Sequence, residues 1–591
     1  MHTSPRPANR VVHKGWIVME QEAIAAGITG ASDLAKLAWL LVCSGLVLFM
    51  QAGFAAVETG SVRYKNSINV ALKNIIDLCV SFAVFFVVGY SLMFGTSVQV
   101  GGWGIIGTPT LFLTNIDPAT ATISVTTMAF FLFQVTFCNT AATIVSGGVA
   151  ERCRFMAYVL VTIGVALVIY PVFGHWVWGG GWLAQLKYHD FAGSSVVHLV
   201  GAGVTLAGIH VLGARLGRFD AQGKAHRIPA SSLPLVSIGV VILAFGWIGF
   251  NGGSAPLGPQ TATIIVNTLN AACFGGLAAM LLIWATGGLA EADLILNGVL
   301  GGLVAITAGA DCVTPTASAL IGIIGGTAVV IGSRLMERWR LDDAVGAVPV
   351  HGFAGFAGVV ATGIFCESRY LTDWDISRGN LVLVQVIGAT TAVVWSYVVG
   401  LLLWKFVGRI SSLRIGPAEE EVGMNYSEHK VDDPMLDLTK AVVSAVAGKD
   451  KAGVQLDNVR EGDLVALARA VKVLVNRHAG AKRNAEAWAQ TIESLKHSLL
   501  EQQHLGTTTA TTSLEELKAT RETLENVLKF LRENDHQSSS NAMLTDLMRL
   551  VQGRIDALTA ALPRIVKSFD TVRHTSGQLD QLADNIRGGR S

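Results

Sequence analysis

Two nine-residue stretches, DFAGSSVVH (Asp190 to His198) and DAVGAVPVH (Asp343 to His351), share the pattern D-x-x-G-x-x-x-V-H. Both lie in apolar surroundings, where an imidazole without a partner is costly to bury. The whole chain has the same character. Of its 591 residues 51% are hydrophobic and 15% charged, and its mean hydropathy is +0.49, whereas a soluble chain carries about 25% charged residues. This is the composition of a membrane protein. A net charge of +1 offers no basic surface for nucleic acid, and the charge is uneven: residues 35 to 405 hold little of it, residues 412 to 591 much.

Apolar runs near 35–60, 74–95, 121–148, 155–179, 193–214, 232–250, 261–286, 294–310, 316–334, 347–366 and 380–406 approach the roughly 20 residues that a span needs. They predict an all-α membrane protein with eleven transmembrane helices. Basic residues orient it. Loops after helices 1, 3, 5 and 9 hold Arg63, Lys65, Lys73, Arg152, Arg154, Arg215, Arg218, Lys224, Arg227, Arg334, Arg338 and Arg340, against Lys187, Arg369 and Arg378 in the opposite loops. The expected N-terminus is therefore outside and the C-terminus cytoplasmic. No cleavable signal segment is evident in residues 1 to 30. Arg6, Arg10 and Lys14 sit awkwardly outside, so either Met1 or Met19 can be the start.

With eleven spans the first motif opens helix 5 from the outside and the second opens helix 10 from the cytoplasm. Such antiparallel recurrence marks an inverted 5+5 repeat, with a shared site near the bilayer midplane. If each Asp caps a helix start and each His lies eight residues along, a rise of ~1.5 Å per residue places each imidazole ~12 Å in from its own face. In a core ~30 Å thick the two rings come within reach of each other. One intramembrane His alone is as well explained by a hydrogen bond to a neighbouring helix, and Asp190 and Asp343 by N-capping; the matched, opposed pair favours function. Two neutral imidazoles can share a proton and line a path for a small polar solute.

Several further blocks carry a resemblance. QAGFAAVETGSVRYKN (Gln51 to Asn66), FQVTF (Phe133 to Phe137), GGVAERCRF (Gly147 to Phe155), WGGGWLA (Trp178 to Ala184), GWIGFNGGSA (Gly246 to Ala255), LDDAVGAVPVHG (Leu341 to Gly352) and EEEVGMNYSEHK (Glu419 to Lys430) resemble, in this order, the signatures of the ammonium transporter (Amt/Mep/Rh) family. The resemblance implies that Phe137, Trp178 and Ser254 recruit an ammonium cation outside, that Phe137 and Phe250 form a stacked gate above His198 and His351, and that Trp247 lines the pore. Asp190 is implied to organise backbone, and the same is expected of Asp343. Aromatic faces attract cations and a hydroxyl accepts from N–H, which suits that assignment. Singly, each aromatic is equally a core or interface residue. The resemblance also implies NH4+ recruitment, deprotonation, NH3 passage with a separately relayed proton, a homotrimer in the inner membrane among its lipids, and docking of a PII-type regulator.

The domain reading is then an extracellular tail (1–33), a membrane domain (34–411), a cytoplasmic motif (412–430), and an extension. Residues 431–480, including PMLDLTKAVVSAVAGKDKAGVQLDNVREGDLVALARAVKVLVNR (Pro434 to Arg477), resemble a HAMP signalling linker; a generic amphipathic helix pair is the alternative. Residues 481–591 read as helical or coiled-coil, notably Ser513 to Asn534 and Met543 to Phe569. No catalytic, nucleotide or cofactor motif is present, so a non-enzyme is expected. The seven cysteines (Cys43, Cys79, Cys138, Cys153, Cys273, Cys312, Cys366) are scattered singly and read as small core residues, with no metal-ligand spacing. Three functions remain: an ammonium sensor signalling through the extension to a cytoplasmic partner, a transporter with a regulatory tail, and a Rh-like neutral gas channel, against which Trp178 and Ser254 favour ammonium.

Overall fold

The computed structural model describes residues 31–114, 124–289 and 291–431, with isolated positions between 522 and 556. Ten described helices are long and apolar enough to span: α1 Ser32–Ser61, α2 Tyr64–Phe94, α3 Val125–Gly148, α4 Phe155–Gln185, α5 Ser194–Leu212, α6 Leu233–Gly252, α7 Gln260–Ala285, α9 Pro315–Arg338, α10 Val348–Phe365 and α11 Arg378–Ile410. Between them α8, Ala292–Ile306, is only 15 residues long, about 22 Å of helix. Its ends nevertheless reach opposite ends of the bundle. Asp293 pairs with Arg227, while the carbonyls of Thr307 and Ala308, just past its other end, accept from Ala192 and Phe191.

α8 is buried between α7 and α9 through glycines. A Cβ at Gly302 would overlap the backbone of Ala271 in α7, and one at Gly325 of α9 the backbone of Gly301 in α8. Small residues that let backbones touch are the membrane route to tight packing, where lipid supplies no hydrophobic drive.

α2 begins ten residues before the predicted apolar run. Its first turns carry Asn66, Asn69, Lys73 and Asn74, all buried, so a hydropathy reading misses them. Lys65 and Lys73, expected in a loop, are therefore helical. Lys73 donates its Nζ to the Cys153 carbonyl at 2.7 Å. Nor is the domain purely helical. Strands β1 Ser97–Val100 and β2 Trp103–Gly107 pair antiparallel around Gly101 and Gly102, both at positive φ, the backbone that a tight two-residue hairpin turn requires. Of the cysteines, five are buried as expected, but Cys79 and Cys273 are exposed on helix surfaces.

The loops after α1, α3, α5 and α9 gather at one end. Arg63 pairs with Glu151 at 2.5 Å, Arg215 with Asp342 at 2.8 Å and with Glu151 at 3.5 Å, and Arg218 with Glu337 at 2.5 Å. Burial alone would raise the Glu151 carboxyl, but Arg215 and Arg63 hold it below its ordinary value. Burial likewise works against Asp342, and Arg215 holds it far below the usual carboxylate range. Two short helices, α12 Pro417–Val422 and α13 Met424–His429, fold back onto this end. Arg414 meets Glu420, and the Glu420 carboxylate also accepts from the Leu216 amide.

The chain divides after Asp432 into two units. In the second, the described positions 522, 525, 526, 529, 549, 551–553, 555 and 556 are helical. The HAMP-like stretch from 432 onward, the rest of the extension, and residues 1–30 with Met1 and Met19 lie outside the described residues.

Candidate functional site

The two D-x-x-G motifs build the same local structure. The Asp190 carboxylate accepts from the amides of Gly193 (3.0 Å), Ser195 (2.8 Å) and Val196 (3.0 Å) and from the Ser195 hydroxyl (2.6 Å). Asp343 accepts from Gly346 (3.0 Å), Ala347 (3.0 Å) and Val348 (2.7 Å). The glycine of each motif has positive φ, 114° at Gly193 and 81° at Gly346, a backbone that other residues adopt only with strain. The spacing is thus set by how the chain turns into a helix: an Asp to bind the first amides, a Gly to make the turn, and the His five residues further on. Burial raises both carboxyls above their ordinary values, against the opposing pull of these donors.

The helix that follows is not an ordinary α-helix at its start. Ser194–Leu199 and Val348–Phe353 are π-turns, in which the His198 amide reaches back five residues to the Gly193 carbonyl at 3.1 Å. Single π-turns are rare and recur at functional sites. The predicted ~12 Å penetration assumed α-helical rise and is corrected in that respect. The rings do meet: His198 Nδ1 and His351 Nδ1 are 3.1 Å apart, with the ring planes 16° from parallel.

Above His198 the aromatics are in sequence. Phe137 and Phe250 stack at 3.9 Å and 17°. Phe250 lies 5.6 Å from His198, and Trp247 stacks on His198 at 5.2 Å. Trp247 is held by its indole N–H, which donates to Thr307 Oγ1 at 2.9 Å. Trp178 stands edge-on to Phe137 at 6.2 Å and donates its N–H to the Asp190 carbonyl. The Ser254 hydroxyl donates to the Phe250 carbonyl at 2.8 Å. With its proton so used, toward a cation it can only accept. His198 Nε2 is buried without a hydrogen-bond partner among the described residues, which is expensive unless something passes or binds there.

Phe54, 6.3 Å from His351, and Phe133, 4.7 Å from Phe137, extend this aromatic cluster. Both lie inside the quoted QAGFAAVETGSVRYKN and FQVTF blocks, which is the signal that could have singled them out. A different cluster had none: His189, Asp311 and Cys312 present ligand atoms within 4.8 Å of one another, from loops more than 120 residues apart.

The family model described as Ammonium Transporter Family matches residues 38–433. A putative ammonium transporter of Synechocystis sp. is 37% identical over 526 residues, covering 84% of this chain and 94% of that protein. The ammonium transporter Amt2 of Archaeoglobus fulgidus is 40% identical over 412 residues, 66% of this chain and 86% of that one. Among solved structures, one titled Sensor Amt Protein aligns with a TM-score of 0.64 and 36% identity over 67% of this chain and 98% of its own. Mep2 of Saccharomyces cerevisiae aligns at 0.58 and 26% identity, over 65% and 88%. With a matching model over most of its length and relatives of this identity, the chain is a multi-pass membrane protein belonging to the ammonium transporter family.

Proposed function

We propose that this protein admits ammonia through a pore centred on His198 and His351, and that its extension reports ammonium occupancy to a cytoplasmic partner. The observation that carries the pore is the histidine pair beneath the Phe137–Phe250 stack, with an unpartnered Nε2 buried on His198. Where two Nδ1 atoms share one hydrogen, one ring is left with an acceptor at Nε2 and the other with an N–H donor. Both rings stay neutral. Ammonia, which donates and accepts, suits such a lining, whereas an intact cation would have to shed its hydration in an apolar passage.

NH4+ is recruited at Phe137, Trp178 and the accepting oxygen of Ser254, releases to water there a proton that is relayed separately, and passes as NH3 beyond the phenylalanine stack. Trp247 orients His198. Asp190 and Asp343 hold the helix starts that carry the two histidines. We read the bundle as eleven crossings in an inverted 5+5 repeat, the short α8 included, with the N-terminus out and the C-terminus in the cytoplasm. In support, the basic loops converge at the end where α12 and α13 dock. We read its assembly as a homotrimer in the inner membrane, with a PII-type protein as a candidate cytoplasmic partner, on the strength of the family resemblance alone.

Sensing is supported by the length of chain beyond the family match, residues 434–591, and by the likeness to a protein titled as a sensor. A transporter with a regulatory tail is the second reading, favoured by the Synechocystis relative, whose match extends well past the family region and which is named as a transporter. Proteoliposomes separate the two. Ammonium uptake that His198→Ala leaves unchanged overturns the pore. If uptake is normal yet saturating ammonium leaves hydrogen exchange of residues 434–591 unaltered, the transporter reading stands and the sensor reading fails.

A further inference from the structure

We propose that His189, Asp311 and Cys312 bind one divalent cation of the zinc class at the end of the bundle where α5 begins. The three ligand atoms lie within 4.8 Å of one another. His189 Nε2 and Asp311 Oδ1 are 3.1 Å apart, close to the edge of about 3.3 Å that two N or O ligands at ~2.0–2.1 Å span around a tetrahedral ion. An ion pair accounts for the histidine and the carboxylate. It gives no reason for a thiol at the third corner.

The donors choose the ion. Imidazole nitrogen, carboxylate oxygen and thiolate sulfur suit zinc and its neighbours, whereas calcium and magnesium take oxygen. Three protein ligands leave a fourth position for water. The Cys366 thiol, buried in the same cluster as Cys312, stands as an outer partner of the kind that fixes ligands around metals.

The cluster is held ready from several directions. Gln385 grips the His189 backbone on both sides, accepting its N–H at 3.0 Å and donating to its carbonyl at 2.7 Å. The Trp374 ring lies 4.4 Å from the His189 ring. Tyr370 donates its hydroxyl to the Asp311 carbonyl at 2.8 Å, and the Glu367 amide donates to the Cys312 carbonyl at 2.8 Å. Cys312 is fully buried, while the Asp311 side chain keeps 15% of its surface exposed and so gives the ion a way in. Rigid backbone and packed rings are what a metal site needs before the metal arrives.

The position gives the site a consequence. His189 immediately precedes Asp190, whose carboxylate organises the start of α5 and whose carbonyl receives the Trp178 indole. A bound ion would tie the loop after α4 to the loop after α8 beside those residues. The proposal does not depend on the ammonium reading.

The test is cobalt titration of the full-length protein, free of any histidine tag and kept under a phosphine reductant. The wild type is expected to bind one Co2+ per chain with a thiolate-to-cobalt charge-transfer band, displaced by Zn2+. Cys312→Ser should abolish that band, and His189→Gln should weaken binding by roughly 100-fold or more, while Cys366→Ser keeps the band. If Cys312→Ser does not fold, His189→Gln carries the test. A wild type without the band, a band that survives Cys312→Ser, or one lost only with Cys366 overturns the site.

Discussion

His198 Nδ1 and His351 Nδ1 stand 3.1 Å apart beneath a phenylalanine pair stacked at 3.9 Å. Neither ring can change its tautomer without the other, so the two act as one group. Removing either imidazole takes away a buried hydrogen bond between neutral partners, about 0.5–1.5 kcal/mol, or roughly 2- to 10-fold in rate. Ammonium uptake into proteoliposomes should fall by that factor in His198→Ala and in His351→Ala. The double variant should fall little further, because partners in one unit are not additive. Losses that multiply would show that the rings work separately.

The aspartates should differ in what they stabilise. Asp190 is fully buried with four donors; Asp343 is half-buried with three. Asp190→Ala leaves three amides and a hydroxyl with no acceptor and no water to replace it, at about 1–3 kcal/mol for each group truly orphaned. We expect Asp190→Ala to lower the thermal midpoint more than Asp343→Ala, where water can enter. Equal midpoints by heat denaturation would mean that burial does not govern the cost.

Most of the membrane domain is legible in the sequence because lipid imposes length and apolarity, and ten of the eleven predicted runs coincide with long helices. What escapes is polar structure inside the bundle. The first turns of α2 look like a loop because Asn66, Asn69, Lys73 and Asn74 are polar, yet each is buried. In the same interior Asp77 accepts from Gln51, Thr143 and Tyr158. The histidine spacing could be read as a meeting of two half-sites, but the π-turns that aim the rings leave no mark in residue types. The cluster of His189, Asp311 and Cys312 is invisible for a simpler reason, since the loop after α4 meets the loop after α8 only in the folded chain.

The docked α12 and α13 depend on one side chain more than on their length. Asn425 Oδ1 accepts from the amides of Ile68 (3.0 Å) and Asn69 (3.1 Å), and its Nδ2 donates to the Tyr64 carbonyl at 3.0 Å. It thereby ties α13 to the second turn of α2 through two amides and a carbonyl. Asn425→Ala should cost about 1–2 kcal/mol, as the loss of one or two net side-chain hydrogen bonds does. Limited proteolysis should then cut residues 411–431 faster than in the wild type. An unchanged rate would place the hold elsewhere, in Arg154 with Glu419 or Lys65 with the Glu420 carbonyl.

The Arg215–Asp342 pair fixes how the same end responds to acid. Asp342 accepts from Arg215 at its amide, Nε and Nη2, each at 2.8 Å, and lies beside Arg218 at 3.4 Å. Burial works to raise its carboxyl, and Arg215 outweighs burial to hold it far below an ordinary Asp. A carboxyl depressed in the folded state adds stability that is fully present above the unfolded pKa of about 3.9 and is lost as pH falls toward the folded value. Asp342→Asn leaves Arg215, among the described residues, with the more distant Glu151 as its ion partner at 3.5 Å. Removing one member of a buried pair costs about 3–5 kcal/mol, and Glu151 should hold the loss near the lower figure. The melting difference between wild type and Asp342→Asn should therefore stay constant from pH 7 to about 5 and narrow only below about 4. A gap that instead narrows around pH 6 would assign the stabilisation to a histidine and not to this pair.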